Sequence, residues 1–600
     1  MRHLLCVLSI WLMTLVQGLG QVALKTNEQV EGYRSIPQER IFVHTNSSLL
    51  LTGEYLYYKV YCLERESGSL SKLSKMAYVE LVGPGGNPIF KHKILLEKGM
   101  GYGDFFVPTD IRSGGYKLLA YTHWMRNQDQ ADFHQNDIAI INPYLVNQGL
   151  LQKTTSLGVD SLVMTEKLDN QKASLIEAVS KKHGPVDLTI NGTEFKKRTK
   201  VSLLFKNSDN GKTMDGEYSI SIRKKSGIPA PMQTGIIDFF EKDHLFNVKS
   251  LATIGDSIYL PELRGELFSG KVIALQGNGT ISGLKVALCI PGEDYFFDVA
   301  ETDEWGNFHL NLDRYYPEGK AILQVLSAKP EEYKVKLRDY EPLDYSKLHF
   351  KDIKIDSTMR KEILQRSIHN QIENSYFQFR PDSVLSSLFK QFSDNKEKEV
   401  YLLDDYTRFK TLRETIVEII NDVSSKRLDK DNETIRIKGF DYAQVTDLPP
   451  LILMDGCLLQ DNNALLDFDA RNIESIAVLR HKLVFGLEMF QGAMVIKTKT
   501  GDGYGQFIKD LVILDQEIFE SQLNKKYFVQ RYDSKNPTDS KSRLPDDRLQ
   551  LLWVPSFNLT DERDQLDFFT SDVSGEFEIH LEGVTHENEP VSIRKSIYVD

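Results

Sequence analysis

Apolar residues recur at every second position along much of this chain, a period that is typical of β-strands with two different faces. The alternation is clearest between residues 39 and 124, where short runs are separated by turn signals such as G-P-G-G-N at 83–87. From Tyr55 to Cys62, even-numbered and odd-numbered residues face opposite ways. Short strands at this spacing predict a β-sandwich. The predicted strands are Ile41–His44, Tyr55–Cys62, Ala77–Val82 and, as the last one, Tyr116–Trp124.

The sequence of this segment resembles the MG2-type domain of the alpha-2-macroglobulin superfamily. The matching phrases are I-F-V-H-T at 41–45, T-G-E-Y-L-Y-Y-K-V-Y at 52–61 and S-G-G-Y-K-L-L-A-Y-T at 113–122. The resemblance implies a macroglobulin-like sandwich over residues 21–145. The stretch Trp124–Asn127 is either a site or a strand end held by packing, and the behaviour of aromatic residues in sandwiches favours packing.

Two further regions show the same alternation. Residues 146–259 are interpreted as a linker plus a second β-sandwich: 150–183 is rich in Ser, Thr and Lys with one weak helical patch, and 185–224 alternates. Residues 506–600 are expected to form a C-terminal β-rich region. Its apolar runs are at 549–553, 568–569, 576–581 and 592–599.

Residues 260–345 carry the pattern G-x-V followed by T-D-x-x-G-x-F. This pattern resembles the carboxypeptidase regulatory-like domain, which implies a small prealbumin-like sandwich. The turn Asp303–Gly306 has two interpretations, a calcium loop or a tight turn between strands. A tight turn requires the same residues, and only one carboxylate pair is present, so the turn is favoured.

Helical periodicity first appears in residues 346–430. Asp356-Ser357 can cap a first helix, and a second helix has apolar residues at i, i+3 and i+4 spacing. We expect both helices to be amphipathic and to pack on sandwiches or lead into the next module. The predicted apolar faces are Ile363, Leu364, Ile368, Ile372 and Tyr376 on the first helix, and Phe409, Leu412, Ile416, Ile419 and Ile420 on the second.

A small βαββ module is predicted within residues 431–505. Leu451–Met454 is a short apolar run that ends at the turn pair Asp455-Gly456, and Asp461–Leu466 suffices for one or two helical turns. Ile473–Leu479 alternates and reads as a second strand. Gly486 and Gly492 flank a bend, and Met494–Thr498 forms the third strand.

The same residues resemble the plug domain of TonB-dependent outer-membrane receptors. The matching blocks are P-L-I-L-M-D-G at 450–456, I-E-S-I-A-V-L at 473–479 and G-A-M-V-I-K-T-K at 492–499. A receptor of that kind also needs a barrel of about 22 strands, and the chain after Thr500 is too short for one. We therefore expect a protein that carries a plug-like module without being a transporter.

The N-terminus has the pattern of a secretory signal. A short basic start is followed by an apolar core at Leu4–Val16 and small residues at Gly18–Gly20, so residues 1–20 are predicted to be removed; a retained anchor is the alternative. Cys6 lacks the small residues before it that a lipoprotein anchor would need. We see no other transmembrane segment, and the net charge of −12 with a pI near 5.7 argues against nucleic acid as a partner.

Three cysteines remain after cleavage, namely Cys62, Cys289 and Cys457, and each lies in an apolar run without a CxxC pair. Buried free thiols are the expected state. The macroglobulin resemblance prompts a search for the family's Cys-Gly-Glu-Gln thioester. Cys457-Leu458-Leu459-Gln460 has the spacing but lacks the Gly and Glu, and its apolar neighbours oppose a reactive thiolate.

No motif for catalysis or metal binding emerges. The sequence has no HExxH, GxSxG or Walker pattern, and the histidines are scattered. The paired carboxylates lie in polar, turn-like contexts, where helix caps and solvated loops are the usual roles. We therefore predict no enzyme, no catalytic residue, no cofactor and no metal site. These pairs are Asp404-Asp405, Asp546-Asp547 and Asp467-x-Asp469.

The sequence thus predicts a mainly β protein of tandem sandwiches, with a helical segment and a small α+β plug-like module. The expected function is a non-catalytic, protein-binding role at the periplasmic face of the outer membrane, linked to TonB-dependent transport or outer-membrane assembly. The expected partner is an outer-membrane barrel or a component of TonB-dependent transport. Two alternatives stay open, a macroglobulin-like protease-handling protein and a carbohydrate- or peptide-binding module.

Overall fold

The computed structural model contains 46% strand and 16% helix, which confirms the mainly β prediction. The predicted signal at 1–20 and the predicted linker at 150–183 lie outside the described residues. None of the described helices is long and apolar enough to cross a membrane. The structure describes residues 21–146, 148, 184–208, 212–242, 252–275, 279–293, 295–312, 321–327, 329–338, 342–385, 397–429, 432–440, 448–507, 512–514, 520–532, 544–560 and 563–600.

The chain divides into two compact units, each built from separate stretches of sequence. The smaller unit contains 264–342 and 387–518, and the larger unit contains 21–263, 343–386 and 519–600. The described helices are Asn27–Ser35, Ile236–Lys242, Arg360–Ser375, Leu412–Glu418 and Asn462–Leu466.

The larger unit begins with a sandwich of a three-stranded and a six-stranded sheet around one apolar core. The three-stranded sheet has the order Glu39–Thr45, Tyr55–Glu64, Met100–Phe106. The six-stranded sheet has the order Leu49–Leu51, His134–Ile141, Gly114–Tyr121, Met76–Gly83, Asn87–Leu95, Glu520–Ser521. A separate pair joins Gln21–Ala23 to Ser257–Tyr259.

Two details of the predicted first sandwich are wrong. The strand after Gly114 ends at Tyr121, and Trp124 lies in the 3-10 helix Trp124–Asn127, because the chain turns there to bring the indole against Pro37. This strand is also not the last one, since His134–Ile141 follows and pairs with it.

A second sandwich in the larger unit combines strands from distant parts of the sequence. Gly216–Lys224 lies between the C-terminal strands Gln550–Leu559 and Gly575–Thr585 and pairs antiparallel with both. Alternation in sequence reports a strand's faces but not its partner, so this pairing could not be foreseen. The two sheets have the orders Val186–Ile190, Lys200–Asn207, Arg563–Phe569 and Glu194–Phe195, Pro590–Val599, Gly575–Thr585, Gly216–Lys224, Gln550–Leu559.

The smaller unit contains a third sandwich and the predicted βαββ module. The sandwich sheets have the orders Asn307–Leu312, Glu266–Ala274, Tyr333–Leu337 and Phe296–Glu301, Lys285–Ile290, Ala321–Leu326, Val512–Leu514. The sheet of the module has the order Glu399–Leu402, Ile473–Phe485, Glu488–Thr498, Leu451–Met454, Cys457–Leu458. Val423–Arg427 and Glu433–Ile437 form a further pair.

The bend predicted between Gly486 and Gly492 is a tight hairpin turn at Gly486 and the next residue. Gly492 lies inside the strand Glu488–Thr498 with φ +73°, beside a shift in register between Leu479 and Lys482. A Cβ at Gly492 would lie 2.4 Å from the carbonyl oxygen of Leu479. The glycine therefore accommodates a bulge within a continuous strand and does not end one.

The two predicted helices have different outcomes. Leu412–Glu418 buries Leu412 and Ile416, which confirms these two positions of its apolar face, whereas Phe409, Ile419 and Ile420 lie outside the helix. Thr411 with Glu414 forms a capping box. On Arg360–Ser375 the predicted apolar face is wrong, because Leu364 and Ile368 are 59% and 47% exposed. That helix buries Arg366, Ser367 and Asn370 instead, because a buried carboxylate faces it. Two further short strands, Ser383–Val384 and Lys525–Lys526, pair beyond it.

Candidate functional site

Four aromatic rings in the larger unit form a continuous stack, here called the aromatic ladder. Tyr55 and Tyr57 alternate onto one face of their strand, with ring centroids 5.6 Å apart and planes within 9°. Phe377 stacks on Tyr55 at 6.1 Å, and Trp553 stacks on Tyr57 at 5.9 Å. Tyr527 meets the ladder edge-on, at 5.0 Å from Tyr57. Stacked aromatic pairs of this kind give a rigid apolar wall.

The aromatic ladder lines a cleft of about 150 Å³, here called the aromatic cleft. The strand Tyr55–Glu64 supplies one wall, and the end of the helix Arg360–Ser375 with the residues after it supplies a second. The segment 548–553 closes the base. Arg223, Tyr527 and Phe528 line it as well, so stretches that are far apart in sequence converge on one cavity.

A buried carboxylate beside the aromatic cleft is held by two guanidinium groups. Arg366 donates to Glu54 through Nε at 2.6 Å and through a terminal nitrogen at 2.7 Å, and Arg223 donates to the same carboxylate at 2.6 Å. Asn370 Nδ2 adds a bond of 3.1 Å. Burial alone would raise the pKa of Glu54, but the charges of Arg366 and Arg223 outweigh it and lower that pKa to about 2.

A second buried network lies at the base of the cleft. Arg548 holds Asp546 with bonds of 2.6 and 2.7 Å, and Arg380 pairs with Glu373 at 2.5 Å. Burial raises the pKa of Glu373. Asp546 is fully buried, so its assignment to a cap or solvated loop is wrong. Arg548 sits two residues away and supplies the charge that makes burial of Asp546 possible.

Asp382 differs from the other carboxylates that line the cleft. Its Oδ1 accepts the backbone N–H of Phe528 at 2.9 Å, and it has no ion pair within the described part of the chain. Burial, followed by the charge of Asp104, raises the pKa of Asp382 against the opposing bond from Phe528 and the charge of Lys525. Lys525 is paired with Asp104 at 2.9 Å. Among the described residues that line the cleft, Asp382 is therefore the carboxylate that has no ion pair.

Two polar groups on the ladder are available to a ligand. The hydroxyls of Tyr55 and Tyr57 form no hydrogen bond with any described residue, and burial followed by nearby carboxylates raises the pKa of Tyr55 to about 12. Both hydroxyls are therefore neutral donors at physiological pH. The Nε1–H of Trp553 is buried without an acceptor among the described residues. That nitrogen is enclosed by the protein, so a ligand in the cleft does not reach it.

The candidates named from sequence take structural roles. Within Trp124–Asn127, the indole donates to the Pro37 carbonyl at 2.9 Å and Asn127 donates to the Tyr259 carbonyl at 2.9 Å. The carboxylate of Asp303 accepts bonds from the backbone N–H of Trp305 and of Asn307, at 2.9 and 2.8 Å. These bonds close the tight turn, so the Asp303 carboxylate has a structural role within it.

Three of the exposed carboxylates likewise contact neighbouring basic residues. Asp404 pairs with Arg408, and Asp467 with Arg413 at 3.4 Å. Asp469 accepts the backbone N–H of Arg471, whose bonds lower the pKa of Asp469 to about 2. No cluster of three metal-ligating side chains occurs within the described residues.

The thiols Cys62, Cys289 and Cys457 are free and buried, as the sequence predicts. A hydrogen bond with Cys289, followed by burial, raises the pKa of Cys457. Gln460, the other half of the thioester-like spacing, instead donates through its amide to Gln324 Oε1 at 3.1 Å and to the Val325 carbonyl. Both side chains are therefore occupied by packing within the smaller unit.

Sequence reasoning missed the aromatic cleft. Its only local signal is the Tyr-x-Tyr pattern at 55 and 57, which places two rings on one face. Phe377 and Trp553 reach the ladder through long-range packing, and the polar role of Arg366 was hidden by the apolar residues around it. Nothing in the sequence pattern identifies such partners.

No family model matches the sequence, and no curated protein matches it. Solved structures to which this chain is similar include Escherichia coli alpha-2-macroglobulin activated by porcine elastase, at 8% identity and a TM-score of 0.23 over 94% of this chain and 44% of that one. Native E. coli alpha-2-macroglobulin matches at 11% identity and a TM-score of 0.23 over 96% and 41%. The E. coli adhesin FdeC matches at 10% identity and a TM-score of 0.14 over 32% and 50%. This chain spans less than half the length of these macroglobulins.

Proposed function

We propose that this chain is a non-catalytic binding protein of the Gram-negative envelope that captures a ligand in the aromatic cleft. The observation that carries the proposal is the convergence there of a rigid aromatic wall, a carboxylate without an ion pair among the described residues and the unpartnered hydroxyls of Tyr55 and Tyr57. Apolar walls with a few convergent polar groups are the usual make-up of a ligand site. The signal-like N-terminus supports export to the periplasm, and the macroglobulin-like and plug-like phrases support a place at the outer membrane.

A ligand screen tests the cleft directly. Full-length mature protein would be screened against short peptides and oligosaccharides by thermal shift, beside a Tyr55→Ala variant that removes a rung of the ladder. We expect ligands that raise the Tm of the wild type and have no effect on this variant. A Tyr598→Ala variant, which loses an exposed tyrosine elsewhere, is expected to respond like the wild type. The proposal would be contradicted if no compound in the screen raised the Tm of the wild type, or if the compounds stabilised Tyr55→Ala equally.

A second candidate function is docking on an outer-membrane barrel or a component of TonB-dependent transport. The observation that favours it is the hairpin tip of the plug-like module, where Val484 and Leu487 are 62% and 74% exposed and Met489 is also exposed. Apolar side chains clustered on a turn are typical of a contact surface. Crosslinking in intact envelopes is expected to recover an outer-membrane barrel with the wild type.

The matched variants for this experiment each replace one exposed leucine by aspartate. Leu487→Asp at the hairpin tip is expected to abolish recovery of the barrel. Leu263→Asp in the larger unit is expected to leave recovery of the barrel unchanged. Equal recovery with both variants would rule out the tip as the contact. A protease-handling role has less support, because the buried thiol of Cys457 opposes the covalent chemistry of thioester macroglobulins.

A further inference from the structure

We infer that the aromatic cleft takes a cationic group on a flexible apolar stem, the chemistry of a lysine or arginine side chain in a peptide. This inference rests on the proposed function and names the ligand class for the same site. Three properties of the cleft carry it: its charge balance, its size and the composition of its wall.

The charge balance selects a cation. Each guanidinium on the cleft wall is already satisfied: Arg223 by Glu54, Arg380 by Glu373 and Arg548 by Asp546. An incoming anion would have to break one of these buried pairs, which is costly. Asp382 keeps its second carboxylate oxygen without an ion partner among the described residues. A charge-assisted bond to an ammonium or guanidinium completes this carboxylate.

The size selects one side chain. A cavity of about 150 Å³ is smaller than the 300 to 1,000 Å³ typical of sites for drug-sized ligands. An apolar cavity of about this volume accommodates a group as large as benzene. An oligosaccharide occupying several subsites does not fit, whereas a four-carbon stem with a charged head does.

The wall suits such a stem. Lysine and arginine side chains pack their methylene groups along apolar surfaces and keep the charge at a polar end. Phe377, which is 45% exposed, offers that apolar surface, and the hydroxyl of Tyr57 and the carboxylate of Asp382 offer the polar end. Aromatic rings near a cation add a favourable electrostatic contribution. The faces of Tyr55 and Tyr57 are covered by their neighbours in the ladder, which leaves no open platform for a sugar ring.

The test is a set of capped tripeptides that differ only at the central residue, measured by calorimetry on the full-length mature protein. The probes are acetyl-Gly-Lys-Gly-amide, its arginine and glutamate versions, and the neutral isostere with norleucine. We expect the lysine or arginine peptide to bind at least tenfold more tightly than the norleucine peptide, and no binding of the glutamate peptide. n-Butylamine has the stem and the charge but no peptide backbone. Comparing its affinity with that of the lysine peptide shows whether the cleft binds a free amine or requires a peptide.

Two variants locate the effect. Asp382→Asn is expected to weaken binding of the lysine peptide at least tenfold and to leave binding of the norleucine peptide unchanged. Asp187→Asn removes an exposed carboxylate from another strand of the same unit and is expected to have no effect. The selectivity of the wild type stands as a test even if Asp382→Asn fails to fold. Norleucine binding equal to lysine binding would overturn the inference and leave the proposed function intact, whereas the absence of any ligand in these assays and in the broader screen would overturn both.

Discussion

The guanidinium of Arg366 donates two hydrogen bonds to the carboxylate of Glu54, from Nε to Oε1 at 2.6 Å and from a terminal nitrogen to Oε2 at 2.7 Å. This bidentate pair joins the helix Arg360–Ser375 to the first sandwich within the larger unit. Both side chains are buried, so neither charge can be hydrated if its partner is lost.

Replacing Arg366 by Met should therefore destabilise the larger unit by about 3 kcal/mol, because one guanidinium, Arg223, remains to compensate Glu54. Urea unfolding followed by circular dichroism measures the change. Arg360→Met removes an exposed arginine of the same helix and should change the free energy of unfolding by less than about 0.5 kcal/mol. Equal effects of the two variants would mean that the Glu54 pair does not anchor the helix.

The same carboxylate predicts a loss of stability in acid. The pKa of Glu54 is about 2 in the folded protein against 4.5 as the reference, so the unfolded chain binds a proton first as the pH falls. The stabilisation from ionised Glu54 is complete above pH 4.5 and is lost as the pH falls towards 2. The stability difference between wild type and Glu54→Gln should therefore shrink across that window. A difference that stays constant from pH 5 to pH 2 would contradict the low pKa.

A buried histidine predicts a second pH effect nearer neutrality. Burial lowers the pKa of His134 to about 3 against an opposing bond from the Ile41 backbone, so the folded protein holds the ring neutral below the reference value of 6.5. Unfolding takes up a proton between those values, and stability should therefore fall as the pH drops below 6.5. His134→Gln should reduce the slope by about 1.4 kcal/mol per pH unit in that range.

The control for this experiment is His586→Gln, which changes an exposed ring. Its slope of stability against pH between 6.5 and 4 should exceed that of His134→Gln. If the two variants give the same slope, His134 titrates in the folded protein and is not held neutral by burial.

The sequence predicted the β-sandwich class, the secondary structure of the βαββ module and the free thiols, because alternation and turn residues act locally. It failed where an element's environment is set by distant residues. The helix with Leu364 and Ile368 has an apolar spacing, yet its buried side is polar because Glu54 lies opposite. The aromatic ladder likewise needs Trp553, which reaches Tyr57 only after the C-terminal strands join the second sandwich.

The three cysteines give a final prediction, on thiol reactivity. Cys62, Cys289 and Cys457 are fully buried, and burial raises the pKa of Cys62, with a further contribution from Glu39. A thiolate is the reacting species, so both effects suppress reaction. The native mature protein should consume no aromatic disulfide reagent within an hour, and three thiols should react after denaturation.

A Ser67→Cys variant provides the positive control, because Ser67 is exposed on the first sandwich. It should react once per chain under native conditions, while the other three thiols stay protected. Identifying labelled peptides by mass spectrometry assigns any reaction to its cysteine. Labelling of Cys457 in the native protein would show that the smaller unit opens around this residue, since its sulfur is otherwise enclosed with Cys289 and Gln324.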